Sequence, residues 1–315
     1  MRRVILYSLL VLVFAGGAPD NNASFEITLP FTPIYKMISA QGNMLGVVSK
    51  KINIHLIALP SGREVRKLDV HNAIKGAFSP DGKWLAVATR DSNVVVYSTT
   101  SNAQKSWKLK DYPWTMSFLR NDWLLINHTL WNVNNAKSVM TLKTDFGEVN
   151  VVALSPDGKK AAAGGGDTRV RLYTPGSGKR SLQEWKLTHQ YNGLKLEVLG
   201  LAFTPDGSRV AAGGLDGRIT LLDATTGKVV KTVQTGMTGI ASIDHVGKSP
   251  WMLVRYINAR TNKQKACRLV NINTGKNHAL RVENSIVRVT SSGKIWAYSF
   301  KSDTMIARRE VIPKE

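Results

Sequence analysis

A short segment recurs along this chain: Phe78-Ser-Pro-Asp-Gly-Lys83, Leu154-Ser-Pro-Asp-Gly-Lys159 and Phe203-Thr-Pro-Asp-Gly-Ser208. In each copy an apolar residue ends a run, and Pro-Asp-Gly reverses the chain. Proline presets φ at the first turn position, and glycine supplies the positive φ that closes a tight hairpin. The sequel is the same each time. A strand of apolar and small residues, such as Trp84-Leu-Ala-Val-Ala-Thr89, leads to an acidic turn. A further strand then alternates in period two, as in Val94-Val-Val-Tyr97.

Four more units follow by pattern, with first-strand anchors at Ile38, Phe118, Ile243 and Val289. Together with Phe78, Leu154 and Phe203 they give seven anchors, 36 to 49 residues apart. Units of this length, each holding four short strands, predict an all-β fold: a seven-bladed β-propeller of four-stranded antiparallel blades. The last unit stops after its third strand, Thr304 to Val311, while an extra strand, Phe25-Glu-Ile-Thr-Leu29, precedes the first anchor. Pairing the two is expected to close the last blade with the N-terminal strand and remove two open edges. One large insertion is expected in the longest interval, around Gly178-Lys-Arg-Ser and His189-Gln-Tyr-Asn-Gly193.

The N-terminus has the build of a secretory signal peptide. Arg2 and Arg3 precede an apolar stretch from Val4 to Phe14, and Ala15-Gly-Gly-Ala18 offers small residues for cleavage. The apolar run is short for a membrane span, which needs about 20 residues. Residues 1–18 are therefore expected to be a signal peptide or signal anchor, and residues 19–315 a single propeller, secreted or periplasmic. The only cysteine, Cys267, excludes an intramolecular disulfide and reads as a buried, inert thiol.

Charge narrows the partners. Lys and Arg total 43 against 22 acids, a net +21, and such a field favours polyanions. An acidic protein, an anionic glycan or a membrane surface fits it; nucleic acid fits the charge but conflicts with export. A monomer within a larger complex is expected. The densest basic segment runs from Arg255 to Arg268 in the sixth unit, read as a long hairpin between its second and third strands. Arg255, Tyr256, Arg260, Lys263, Lys265 and Arg268 are the candidate partner-binding residues, with the cations meeting phosphate or sulfate and the tyrosine ring stacking. A second basic set follows the turns at the opposite end of the blades: Lys83, Lys159, Lys160, Lys248 and Lys294, with Arg63, Lys228 and Lys276.

No catalytic motif emerges. The six histidines show no metal-ligand spacing, and no Gly-x-Ser-x-Gly elbow occurs. Asp81, Asp157 and Asp206, and likewise Asp91, Asp167 and Asp216, read as turn residues, since an Asp side chain bonds the backbone two residues on. No cofactor, metal site or catalytic residue is expected. A catalytic or cofactor-binding propeller with its site at the central channel is the competing reading.

The repeats resemble those of the WD-repeat β-propellers, strongly in units two, four and five and weakly in three, six and seven. Gly213-Gly-Leu-Asp-Gly-Arg-Ile-Thr-Leu-Leu-Asp-Ala-Thr-Thr-Gly-Lys228 is similar to the family's second and third strands. Asp91, Asp167 and Asp216 match the family's turn aspartate, and His71 and His189 stand where its loop histidine falls. The family's tryptophan is replaced by Tyr97, Tyr173 and Leu222. The resemblance implies a binding scaffold without chemistry.

Overall fold

The structure is a computed structural model that describes residues 24–29, 31, 35–39, 42–49, 53–113, 116–141, 149–175, 185–258, 264–280, 285–289, 294–301 and 303–310. The chain divides into two compact units, Met1–Tyr112 with Asn284–Val311, and Pro113–Glu283 with Ile312–Glu315.

The first unit holds three four-stranded antiparallel sheets. Blade one is β2 (Tyr35–Ile38), β3 (Met44–Val48), β4 (Asn53–Ala58) and β5 (Glu64–Asp69). Blade two is β6 (Ala73–Phe78), β7 (Trp84–Thr89), β8 (Asn93–Ser98) and β9 (Gln104–Lys108). Blade seven is β26 (Ser285–Val289), β27 (Ile295–Lys301) and β28 (Thr304–Glu310), completed by β1 (Ser24–Thr28). The expected pairing of the two ends is present: β1 runs antiparallel to β28, from Ser24 opposite Arg308 to Thr28 opposite Thr304.

The second unit holds four sheets of the same kind. Blade three is β10 (Met116–Arg120), β11 (Trp123–Ile126), β12 (Thr129–Asn132) and β13 (Lys137–Thr141). Blade four is β14 (Val149–Leu154), β15 (Ala161–Gly165), β16 (Val170–Pro175) and β17 (Trp185–Tyr191). Blade five is β18 (Val198–Phe203), β19 (Arg209–Gly214), β20 (Arg218–Asp223) and β21 (Val229–Gln234). Blade six is β22 (Ile240–His245), β23 (Trp251–Ile257), β24 (Gln264–Asn271) and β25 (Asn277–Leu280). Each of the seven anchors lies in the first strand of its blade. The described residues thus form an all-β, seven-bladed propeller fold of antiparallel four-stranded sheets.

Burial grades across each blade. In blade five, β19 and β20 are almost wholly buried, whereas β21 exposes five of its six residues. The inner strands are covered on both faces, so they read as apolar and small-residue runs, and the outer strand is free to carry lysine. Blades five and six share one core. Ile219, Leu221, Ile240, Ile243, Met252, Val254 and Tyr256 pack together in it, all buried. Truncating one of its aliphatic side chains to alanine costs about 2–5 kcal/mol.

His189 lies within β17, opposite Leu172, and so belongs to the outer strand of blade four. Its expected place in a loop, and the insertion drawn around His189–Gly193, are corrected accordingly: β-pairing continues through Tyr191. The Gly178–Ser181 part of that insertion lies outside the described residues.

Candidate functional site

In a four-stranded meander the first and third turns lie at one end and the second at the other. The first turns of blades two, four and five close identically. The Ser79, Ser155 and Thr204 hydroxyls donate to Asp81, Asp157 and Asp206, each at 2.6 Å. The same carboxylates accept the backbone N–H groups of Lys83, Lys159 and Ser208 at 3.0–3.1 Å. The hydroxyls in turn accept the N–H of Trp84, Lys160 and Arg209. The turn glycines sit at φ between 67° and 71°, as the hairpin geometry requires. Such donors favour the ionised acid. Ser155 first, then the Lys159 amide, holds the Asp157 carboxyl below its ordinary range. Thr204 first, then Ser208, brings Asp206 down to about 2.

The second turns use the other aspartates. Asp91 accepts from the Asn93 side chain, while Asp167 and Asp216 accept the N–H of Arg169 and Arg218. Asp167 does more than cap its turn. With Arg171 it forms an ion pair at 2.6 Å, the two side chains only 2% and 3% exposed. All six aspartates therefore have structural partners in their turns.

The basic sixth blade differs from its expected form. Arg255, Tyr256 and Arg268 lie in the β-ladder, not in a free hairpin: Arg255 faces Cys267, Tyr256 faces Ala266 and Val254 faces Arg268. Tyr256 is fully buried, so its ring has no free face for stacking, which corrects that part of the expectation. Arg255 is half-buried and bonds Ser242 Oγ at 2.5 Å and Asp244 at 2.7 Å. Arg268 donates to Asn277 Oδ1 at 2.7 Å. Arg260 and Lys263, and the side chain of Lys265, lie outside the described residues. Cys267 is buried, and that burial pushes its thiol up to about 11. Among the described residues no three His, Cys, Asp or Glu side chains gather as a metal site requires.

Five of the eight residues of the second basic set, Lys159, Lys160, Lys228, Lys248 and Lys276, lie in the second unit. Pro156 of blade four lies against Gly207 of blade five, and the Arg120 guanidinium of blade three covers Gly158. Lys160 Nζ donates to Thr225 Oγ1 of blade five at 2.9 Å, and Lys231 Nζ of blade five donates to the Asn273 carbonyl of blade six. The first and third turns of blades three to six thus form one continuous turn face. It carries Arg120, Lys159, Lys160, Arg209 and Lys248 at the first turns, and Lys137, Lys228 and Lys276 at the third. The described acids at these turns are Asp122, Asp157, Asp206 and Asp223, half as many, and each is engaged locally. In the first unit the corresponding described turns hold Arg63, Lys83 and Lys294 against Glu64 and Asp81, a smaller excess.

The comparisons agree with this geometry. The family model described as WD domain, G-beta repeat, matches residues 62–98 and 136–174. The model described as anaphase-promoting complex subunit 4 WD40 domain matches residues 182–248. A search of curated proteins finds no match. The fold is that of a β-propeller made from repeated four-stranded units. The chain is a WD-repeat β-propeller. The first match begins at Gly62 and ends at Ser98, so it takes β5 of blade one and then β6, β7 and β8 of blade two. The second begins just before β13 and runs through most of β16. Each sequence repeat therefore straddles two blades: the outer strand of one and the three inner strands of the next. Propellers of this family commonly mediate protein interactions within complexes, and this chain has the architecture of such a scaffold.

Proposed function

We propose that this chain is a non-catalytic scaffold propeller that holds an acidic protein partner, or another polyanion, in an exported compartment. The carrying observation is the twofold excess of cations over acids on the turn face of the second unit, together with the local capping of Asp157, Asp206 and Asp223 there. Asp157, Asp206 and Asp223 direct carboxylate oxygens to their own turns, and the cations that outnumber the acids leave the face with a net positive charge towards solvent and partner. Arg260, Lys263 and Lys265 add to the basic character of the sixth unit in the sequence. Export rests on the residue pattern of positions 2–18.

Retention on a heparin column that falls steeply with added salt is the expected behaviour. Replacing Lys159, Lys248 and Lys276 with Gln should bring elution to markedly lower salt than the same replacement at Arg63, Lys83 and Lys294. Equal shifts from both triple variants would reduce the binding to net charge and sink the assignment to this face. For export, a fusion of residues 1–18 to a periplasmic reporter should deliver it; a reporter left in the cytoplasm removes that part.

A further inference from the structure

An open cleft of about 650 Å³ lies on the turn face between blades five and six. One wall is the first turn of blade five, with Pro205 and Asp206, ending at Arg209. The other is built by His245, Lys248 and Pro250 of blade six, with Asn273 from its third turn. Both cations are exposed, and among the described residues neither side chain has a hydrogen-bond or ion-pair partner. From this juxtaposition we infer that the cleft is a docking site for an extended acidic peptide segment, one acidic side chain reaching Arg209 and Lys248 while its backbone lies along the two prolines. The inference deepens the reading of an acidic partner and rests on it.

Three features select a peptide over a continuous polyanion. Asp206 stands in the cleft and stays ionised, because its three hydrogen bonds from Thr204 and Ser208 hold it so. A fixed negative charge repels a glycan sulfate or phosphodiester chain, which offers anions at every step. A peptide alternates acidic side chains with N–H donors, and those donors suit Asp206. The Asn273 side chain, exposed and carrying both a donor and an acceptor, is matched to a peptide unit in the same way. Pro205 and Pro250 give apolar contact that a sugar backbone uses poorly, and the walls carry no Phe, Tyr or Trp on which a base would stack. His245 completes the floor. Its Nδ1–H donates to the Gly247 carbonyl at 3.0 Å, which leaves Nε2 as an acceptor on the neutral ring that burial favours.

The test presents the purified full chain to an immobilised array of octapeptides with Asp or Glu at two fixed positions and all others randomised. An array with Asn or Gln at those positions is the comparator. A set of acidic peptides should bind at least tenfold better than their amide counterparts, and Arg209→Glu with Lys248→Glu should abolish that preference. The same peptides with Lys at the fixed positions should prefer the charge-reversed chain to the native one. A thermal melt checks that the exposed substitutions leave the fold intact, and Arg209→Gln with Lys248→Gln should weaken binding without reversing preference. Undiminished acidic-peptide binding in the charge-reversed chain overturns the site while leaving the acidic-partner reading in place. No acidic preference on the array, with salt-sensitive heparin retention kept, overturns the peptide in favour of a glycan. Loss of both array preference and heparin retention in the native chain removes the cleft and the broader reading together.

Discussion

Blades five and six close equivalent turns with different atoms. In blade five the first turn centres on the Asp206 carboxylate, and the third on Asp223, which accepts the N–H groups of Thr225 and Thr226 at 2.9 and 2.7 Å. In blade six the first turn has no acid: Ser249 Oγ donates to the Val246 carbonyl at 2.6 Å and accepts from Trp251 N. Its third turn is capped by Asn271, which accepts from Asn273 N and Thr274 N at 2.9 and 3.0 Å. The Asn amide reproduces both backbone bonds of the Asp223 cap, without its charge. The basic character of the sixth blade is therefore partly a loss of acids. Where the repeat fades, neutral caps keep the turn and leave Lys248 and Lys276 uncompensated.

The largest expected contrast is between ion pairs in the well-kept and the faded blades. Arg171→Ala in blade four leaves Asp167 buried and unpaired, and should cost about 3–5 kcal/mol in urea unfolding. Arg255→Ala in blade six breaks a pair whose side chains are 22% and 47% exposed, and should cost under about 1 kcal/mol. Comparable losses would show that blade six is as tightly built as blade four. Next comes Gly217→Ala at the second turn of blade five. Its φ is 75°, and an added Cβ would fall 1.7 Å from the Met237 carbonyl oxygen. A loss of about 1–3 kcal/mol is expected, read as a lowered melting temperature.

A smaller effect separates the two first turns by pH. The folded-state pKa of Asp206 lies near 2, below its ordinary value of 3.8. Its contribution is thus present above about pH 4 and is lost as pH falls through about 2. Asp206→Asn should lower stability at neutral pH by about 1 kcal/mol and flatten the acid limb of a melting-temperature profile. An unchanged acid limb would show that the capping bonds do not govern it. Smallest of all, Lys276→Gln should alter stability by less than about 0.5 kcal/mol while lowering the salt needed for elution from heparin.

The blade count was legible because each anchor residue sits one turn before an apolar strand, and that order survives even where Pro-Asp-Gly is lost, as at Ile243 and Val289. The pairing of β1 with β28 was legible as the only partner for two incomplete ends. Tyr256 was misread because the density of lysine and arginine around it suggested an exposed loop. Its alternation with Met252 and Val254, three apolar residues on one strand face, was the signal that places it in the core. The Asp167–Arg171 pair was hidden because turn formation already accounts for Asp167, and a second role leaves no mark in the spacing. The cleft was hidden too: Arg209 and Lys248 are about 40 residues apart in the chain, and only the packing of blade five on blade six brings their turns together.

The pairing of β1 with β28 also sets an order of events during synthesis. β1 is among the earliest described strands to leave the ribosome, and β28 is the latest. Through the making of every strand between them, β1 has no native neighbour to bond its backbone, and the sheet of β26 to β28 has an open outer edge until β1 reaches it. Such a distant pairing is slow to form, since the loop it closes is nearly the whole chain. The seventh blade is thus the final piece of the molecule to be finished and the natural first point of attack when a nascent or strained chain opens.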